Sequence, residues 1–493
     1  MFCQHVRLFR YCWEQSATVP TVLATVMKNY HTIIYLILIV SLFIGCNSET
    51  PMEVFEYESP LVSTGALSGG DTTIYDASSH AFSIPAPNLS AAAFEKHLEG
   101  DVEFEAIFVT APAEVNPGLG PIYNNVSCIN CHSRDGRGRP PGLDEKVVSL
   151  LLRLSLPNTE DDVSGKPPIP VPGYGTQLNN RAIYGTPAEG SIKIDYTEQT
   201  ITTKDGMRIH LRQPNYNITD TYQPLPDNVE VSPRVAPVVF GLGLLEAIPE
   251  KTILSYADEV DVNGDGISGK PNFVWDVVNK RYTLGRFGWK ANQPTLLQQV
   301  ASAYHDDMGL TTSLFLYENS IGQPQLTINN TRPEVSDEIL DVVTFYVQTL
   351  AVPARRNVNH PQVMHGEQLF AQAKCVSCHI PTLRTGTLSG VPSVSNQTIH
   401  PYTDLLLHDM GPGLADNRPD FHASGTEWRT PPLWGIGLVQ TVNGHTNFLH
   451  DGRARDLMEA VLWHGGEAEK SRQTILEMTK TERDALIAFL QSL

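Results

Sequence analysis

The chain has 493 residues, 41% of them hydrophobic and 18% charged, which is enough to bury two or three cores and excludes a disordered or fibrous protein. Asp and Glu outnumber Lys and Arg 54 to 35, a formal charge of −19. That balance excludes a broad grip on nucleic acid and makes any charged protein partner a basic one.

Residues 33–45 (IIYLILIVSLFIG) are an apolar run, short for a bilayer span but suited to the core of a secretory signal. Met27-Lys28 supplies the basic segment such a signal begins with, so Met27 is the expected start and Cys3 and Cys12 lie ahead of it. Residues 41–46 (SLFIGC) resemble a bacterial lipobox, with Phe43 where leucine is usual. The resemblance implies a lipid on Cys46, a membrane anchor and export to the periplasm or cell surface. An ordinary signal peptide or a single N-terminal anchor is the other reading, and either still exports the rest of the chain. Residues 1–45 are thus a signal region, and 46–79, rich in Ser, Thr, Glu and Gly, are expected to be a flexible tether.

The remaining cysteines form two copies of one pattern, Cys128-Ile129-Asn130-Cys131-His132 and Cys375-Val376-Ser377-Cys378-His379, and none is left over for a structural disulfide. Two thiols on one helical turn can form thioethers with both vinyl groups of a haem, while the adjacent imidazole ligates its iron. A thioredoxin-like pair or a zinc site would need partners that are not nearby. The pattern therefore predicts two covalently bound haem c groups.

Each motif has an aromatic five residues before its first cysteine, Tyr123 and Phe370. In the second copy the helix around Gly366 is suited to crossing another helix closely, with 481–493 as its partner. After each motif comes a similar segment, Arg234 to Leu244 and Arg429 to Leu438; either arginine could pair with a haem propionate or form a turn. A helix over 333–350 closes the first haem domain and 351–356 is a hinge. Residues 195–215 alternate like strands. The expected fold is mainly α: two cytochrome c-like haem domains in tandem, 80–350 and 355–493, the first with long loop and small β insertions.

Between the motifs, Asp261, Asn263 and Asp265 match the first half of an EF-hand loop. Position twelve is Asn272 rather than glutamate, so calcium binding and plain Asx turns both remain open.

Residues 448–453 (FLHDGR) and then 457–461 (LMEAV) resemble bacterial dihaem cytochrome c peroxidases and the methylamine-utilisation dihaem enzymes. Residues 127–132 with 135–138 (DGRG), 264–269 (GDGISG), 285–291 (GRFGWKA), 408–411 (HDMG) and 463–468 (WHGGEA) more closely resemble the di-haem oxidoreductase family, described as peroxidases or thiol oxidoreductases, over roughly 85–493. Thiol oxidation has no support, because no mature cysteine is free to exchange. In the peroxidase relatives the distal ligand of the C-terminal haem, Met or Tyr, comes after an Ala-Val pair, which puts His464 in that role here and Met410 as the alternative; the dihaem peroxidases also carry calcium between their haems. His408 and His450 read as loop-ordering or propionate-contacting residues.

No comparable distal partner lies between His132 and Arg234, and His210 sits in a strand-like setting. The N-terminal iron is therefore expected to be open to peroxide, with Glu246 as candidate acid/base; a carboxylate ending a helix or pairing with arginine is the alternative. The implied function is an exported dihaem peroxidase. A small redox donor protein or a quinol-linked cytochrome would supply electrons, which pass from the C-terminal haem to the N-terminal one. A pure electron-transfer lipoprotein and a haem-bearing accessory of iron uptake or sensing are the alternatives.

Overall fold

Serine and threonine start most of the long helices, as their hydroxyls accept the amides that a first turn leaves unpaired. Ser90 caps α1 (Ala91–Glu105), Thr295 caps α2 (Leu296–Met308) and Ser336 caps α3 (Asp337–Thr349). Pro361 opens α4 (Pro361–Gln372), and a capping box between Thr479 and Glu482 opens α5 (Lys480–Ser492). These belong to a computed structural model that describes residues 64–142, 145–158, 165–326 and 332–493. The apolar run 33–45 and Cys46 lie outside the described residues.

The helices pack as two similar pairs. α1 crosses α3 at Gly100, where a Cβ would strike the Val342 carbonyl, and α4 crosses α5 at Gly366, where it would strike the Ala485 carbonyl. Four residues after each glycine stands a buried phenylalanine, Phe104 and Phe370, and each ring lies against the histidine of a CxxCH motif. Centroid distances are 6.3 Å for Phe104 to His132 and 6.1 Å for Phe370 to His379. The expected partnership of 361–372 with the last helix is present. In the first half Phe104 takes the place expected of Tyr123, which instead pairs with Arg181 in a short antiparallel ladder.

A mainly α fold is not what forms. Among the described residues helices take 29% and strands 19%, in several small sheets. The long Pro- and Gly-rich connections satisfy their backbone groups through short ladders instead of further helices. A three-stranded antiparallel sheet sets Leu150–Ser155 between Gln177–Leu178 and Glu230–Val235, with Leu151 opposite Arg234. Ser191–Thr202 and Arg208–Thr219 make a long hairpin, Thr202 opposite Arg208. His210 stands exposed on it.

Residues 64–74, expected as the end of a tether, are folded in: Thr73–Ile74 pairs in parallel with Val352–Pro353. The segment expected as a hinge is likewise buried at Ala351, Val352, Ala354 and Arg355. Val62–Leu493 makes one compact unit. Among the described residues no helix is long and apolar enough to cross a membrane.

Candidate haem-binding site

The crossed helix pairs bring both CxxCH motifs to the wall of one cavity of about 410 Å³, lined by Cys128, Cys131 and His132 and by Cys375, Cys378 and His379. Cys128–Cys131 is a single helical turn and Cys375–Ser377 a 3₁₀ turn. None of the four thiols is in a disulfide.

The two histidines are prepared alike. His132 Nδ1 donates to the Pro237 carbonyl at 2.7 Å and His379 Nδ1 to the Tyr402 carbonyl at 2.9 Å, which fixes the tautomer and leaves each Nε2 as the free lone pair. Burial lowers both to about 4, so each imidazole is neutral at pH 7, the form that ligates iron.

His464 is oriented in the same way: its Nδ1 donates to the Ala460 carbonyl at 2.8 Å, and it lines the cavity. Besides burial, His464 is among the groups that lower the His379 pKa, and both histidines line the cavity. Met410 also lines the cavity, and its carbonyl stands 3.0 Å from where a Gly465 Cβ would be. Both candidate ligands of the second haem therefore come from adjoining backbone.

The cavity wall is cationic in an acidic protein. Arg137 lines it, part-buried, with Nη2 donating to the Leu449 carbonyl at 2.7 Å and Nε left without a partner. Arg429 donates only to carbonyls, of Gly288 at 2.9 Å and Thr430 at 3.1 Å. Burial lowers both guanidiniums to about 10, and they stay charged at neutral pH with no carboxylate in contact among the described residues. Buried cations of this kind require anions, and haem propionates suit them bidentately. With two free Nε2 atoms and two thiol pairs on the same wall, the residues fit two haems.

The family model for di-haem oxidoreductase, putative peroxidase, matches residues 63–493. The chain belongs to the di-haem oxidoreductase family. No curated protein and no solved structure matches it significantly.

In this di-haem oxidoreductase the two arginines of the repeated segments are not equivalent. Arg234 lines the cavity but is neutralised by Asp420 at 3.0 Å, whereas Arg429 and Arg137 donate to backbone carbonyls. Nor do the segments hold the histidines alike: Pro237 serves His132, whereas Tyr402, not Pro432, serves His379. His408 orders its loop, as expected, bridging Asp404 at 2.8 Å and Glu467 at 2.6 Å; the two carboxylates raise its pKa well above the ordinary value. His450 stacks on Trp428 at 3.7 Å.

Glu246 is placed elsewhere than an acid/base would be. It is not among the residues lining the cavity; Oε1 accepts the Leu296 amide at 2.8 Å and Oε2 the Gln348 side chain at 2.6 Å, which ties the start of α2 to α3. Burial raises its pKa, which is why the sequence pattern looked catalytic. Glu246→Ala is expected to cost about 1–3 kcal/mol of stability, as two buried donors lose their acceptor, and to leave peroxide turnover of the folded enzyme within twofold. Urea unfolding together with steady-state assays checks this, and a loss of about 10²–10⁴ in rate would restore the acid/base role.

The EF-hand-like loop uses its oxygens on itself. Asp261 accepts the Gly266 amide, Asn263 the Asp265 amide and Asp265 the Ile267 amide, the Asx-turn pattern. Among the described residues no group of three or more His, Cys, Asp or Glu is placed to hold a metal ion.

Three residues of the site escaped sequence reasoning. Phe104 lies too far from Cys128 to be matched with Phe370. Arg137 stands within the 135–138 motif, which by itself gives it no role. Asp307 lines the cavity beside both N-terminal thiols, with Gln177 donating to it at 2.8 Å and burial raising it to about 6; nothing in the sequence links it to Cys128, since α2 alone carries it there.

Proposed function

We propose that this di-haem oxidoreductase is an exported, lipid-anchored peroxidase that carries its haems as thioether-linked c-type groups and reduces hydrogen peroxide at the N-terminal one. The observation that carries this reading is an asymmetry between the two histidines. His379 and His464 both line the cavity and His464, with His408, is among the groups that lower the His379 pKa, whereas the groups perturbing His132 include no imidazole. A haem held by His379 and His464 would be saturated and suited to electron transfer; the one held by His132 would keep a position for substrate.

Haem iron supplies the redox chemistry, in which peroxide takes two electrons and two protons and leaves as two waters. The protein's own part is to hold each imidazole by a backbone carbonyl, to bind propionates through Arg137 and Arg429, and to wall the haems from bulk water. A basic small redox protein or a quinol-linked cytochrome suits the acidic surface as electron donor. Export and the lipid on Cys46 rest on the apolar run and the lipobox-like segment that precede the family match.

Low-temperature EPR and visible spectra of the haem-loaded protein, as isolated and half-reduced, test the proposal. A high-spin ferric signal that peroxide consumes is expected alongside a low-spin one, and His464→Ala should convert the low-spin signal to high spin. Two low-spin signals indifferent to half-reduction and peroxide would overturn the peroxidase reading and leave a pure electron-transfer protein.

A further inference from the structure

His464 is followed by Gly465 and Gly466, two residues with no side chain to anchor the turn and the most backbone freedom to lose. The next side chain is Glu467, and its carboxylate is gripped from two other parts of the molecule. Oε2 accepts His408 Nδ1 at 2.6 Å and the Ser268 amide at 3.1 Å, while Oε1 accepts the Ser268 hydroxyl at 2.6 Å and the Asp409 amide at 3.2 Å. Four donors fill the capacity of a carboxylate. The Glu467 side chain is 12% exposed and lines the haem cavity.

This clasp holds the backbone under both candidate ligands of the second haem. His408 is fixed by Asp404 at 2.8 Å on its other nitrogen, and its Nδ1 stands 3.5 Å from Cys378 Sγ of the second motif. Met410 comes two residues later and is pinned on every side: its own amide donates to the Thr426 carbonyl at 3.0 Å, the Gly411 amide to Asp409 Oδ1 at 2.7 Å, and the Asp409 amide to Glu467. The two segments touch along their backbones, since a Cβ on Gly466 would strike the Asp409 carbonyl and one on Gly411 would lie 2.8 Å from the Gly466 nitrogen. From its N-terminal side His464 has only the short helix Leu457–Leu462 and its bond to the Ala460 carbonyl.

We propose that Glu467 is a positioning residue that keeps His464 on the second haem and prevents Met410 from replacing it. The inference rests on the reading of His379 and His464 as that haem's pair and names what enforces the choice. Glu467 closes the Gly-Gly turn from its far side, so the freedom of the two glycines is lost when the turn folds and not when the imidazole meets iron. The same carboxylate immobilises the strand end that carries Met410. The choice matters for a relay, because methionine in place of histidine raises a haem's potential and makes it a poorer donor to its neighbour. The Asp261 to Asp265 loop gains a task as well: the chain that leaves it delivers Ser268 to the clasp.

The test uses the haem-loaded protein and reads the second haem by EPR, near-infrared spectra and redox titration. In Glu467→Ala the bis-histidine low-spin signal is expected to fall by at least half, replaced by the near-infrared band of methionine sulfur on ferric haem. The reduction equilibrium of that haem should move about tenfold toward the ferrous form, a rise of about 59 mV. Should Glu467→Ala fail to fold, Glu467→Gln, which keeps the volume but cannot accept from all four donors, gives the same readout. His464→Ala, run alongside, reads the ligand assignment separately: a low-spin signal that survives it would overturn that assignment and the proposal together. A signal lost in His464→Ala but kept at the parent's potential in the Glu467 variants, or giving way there to high spin with no methionine band, would overturn the role of Glu467 alone.

Discussion

Changing Cys128 and Cys131 together to serine is expected to yield a protein with one haem per chain instead of two and peroxide turnover reduced at least about 10³-fold, a modest part of the roughly 10⁶-fold or greater acceleration enzymes supply. The expectation rests on the proposed division of labour. The pair precedes His132, the histidine proposed to leave an open position on its haem, so its loss removes the site where substrate is meant to bind. The reciprocal change at Cys375 and Cys378 should leave peroxide able to perturb the remaining haem spectrum while steady turnover fails for want of electrons. Haem content by pyridine haemochrome and intact mass, set beside rates, separates the two. Sustained turnover in the Cys128/Cys131 variant would move the peroxide chemistry to the other haem.

Gly366→Ala is expected to be among the most destabilising single-methyl changes in the chain. A Cβ there falls on the backbone of Ala485 and lies 2.8 Å from the Phe489 Cβ, closer than the 3.0 Å that real Cβ atoms respect; backbone cannot swing aside, so α4 and α5 must separate. Overpacking of this kind costs about 1–3 kcal/mol, against which alanine's better helix propensity returns up to about 1 kcal/mol. The separation also lifts Phe370 off His379, so the visible spectrum of the second haem should shift along with the melting temperature. Gly100→Ala should do the same to α1, α3 and the first haem. A variant that melts with the parent and keeps its spectrum would show that the crossings are looser than they look.

What the sequence made legible was local. The two CxxCH motifs, the Gly366 crossing and the strands within 191–219 all come from short spacings or periodicity, whereas His464 came from the family resemblance alone. What it hid depends on residues far apart in the chain. Phe104 matches Phe370 in space but stands 24 positions before Cys128 instead of five, because the Ile122–Tyr123 ladder intervenes. Arg234 is taken by Asp420, 186 residues on, and no pattern announces such a pairing. The mainly α expectation failed for the same reason, as two-residue strands such as Thr73–Ile74 have partners hundreds of positions away and too little length to show an alternation. Glu246 misled because apolar flanks predict burial, while the direction of a buried side chain depends on which helix end is waiting for an acceptor.

The strip that joins the two halves has a consequence for timing. Ala351 donates its amide to Ile84, Ala354 to Ile74, Arg355 to Ala66 and Arg356 to Ser492, so the earliest and the latest parts of the folded unit are stitched to the same few residues. A relay that relied on domains swinging together would run at the pace of that swing. In the proposed relay the spacing between the two haem sites would be set once, when the last helix docks, and every later electron would cross the same gap. The last helix also lends Leu486 and Leu490 to the cavity wall, so on this reading haem insertion precedes the stitch and the order of maturation follows from the connectivity of the chain.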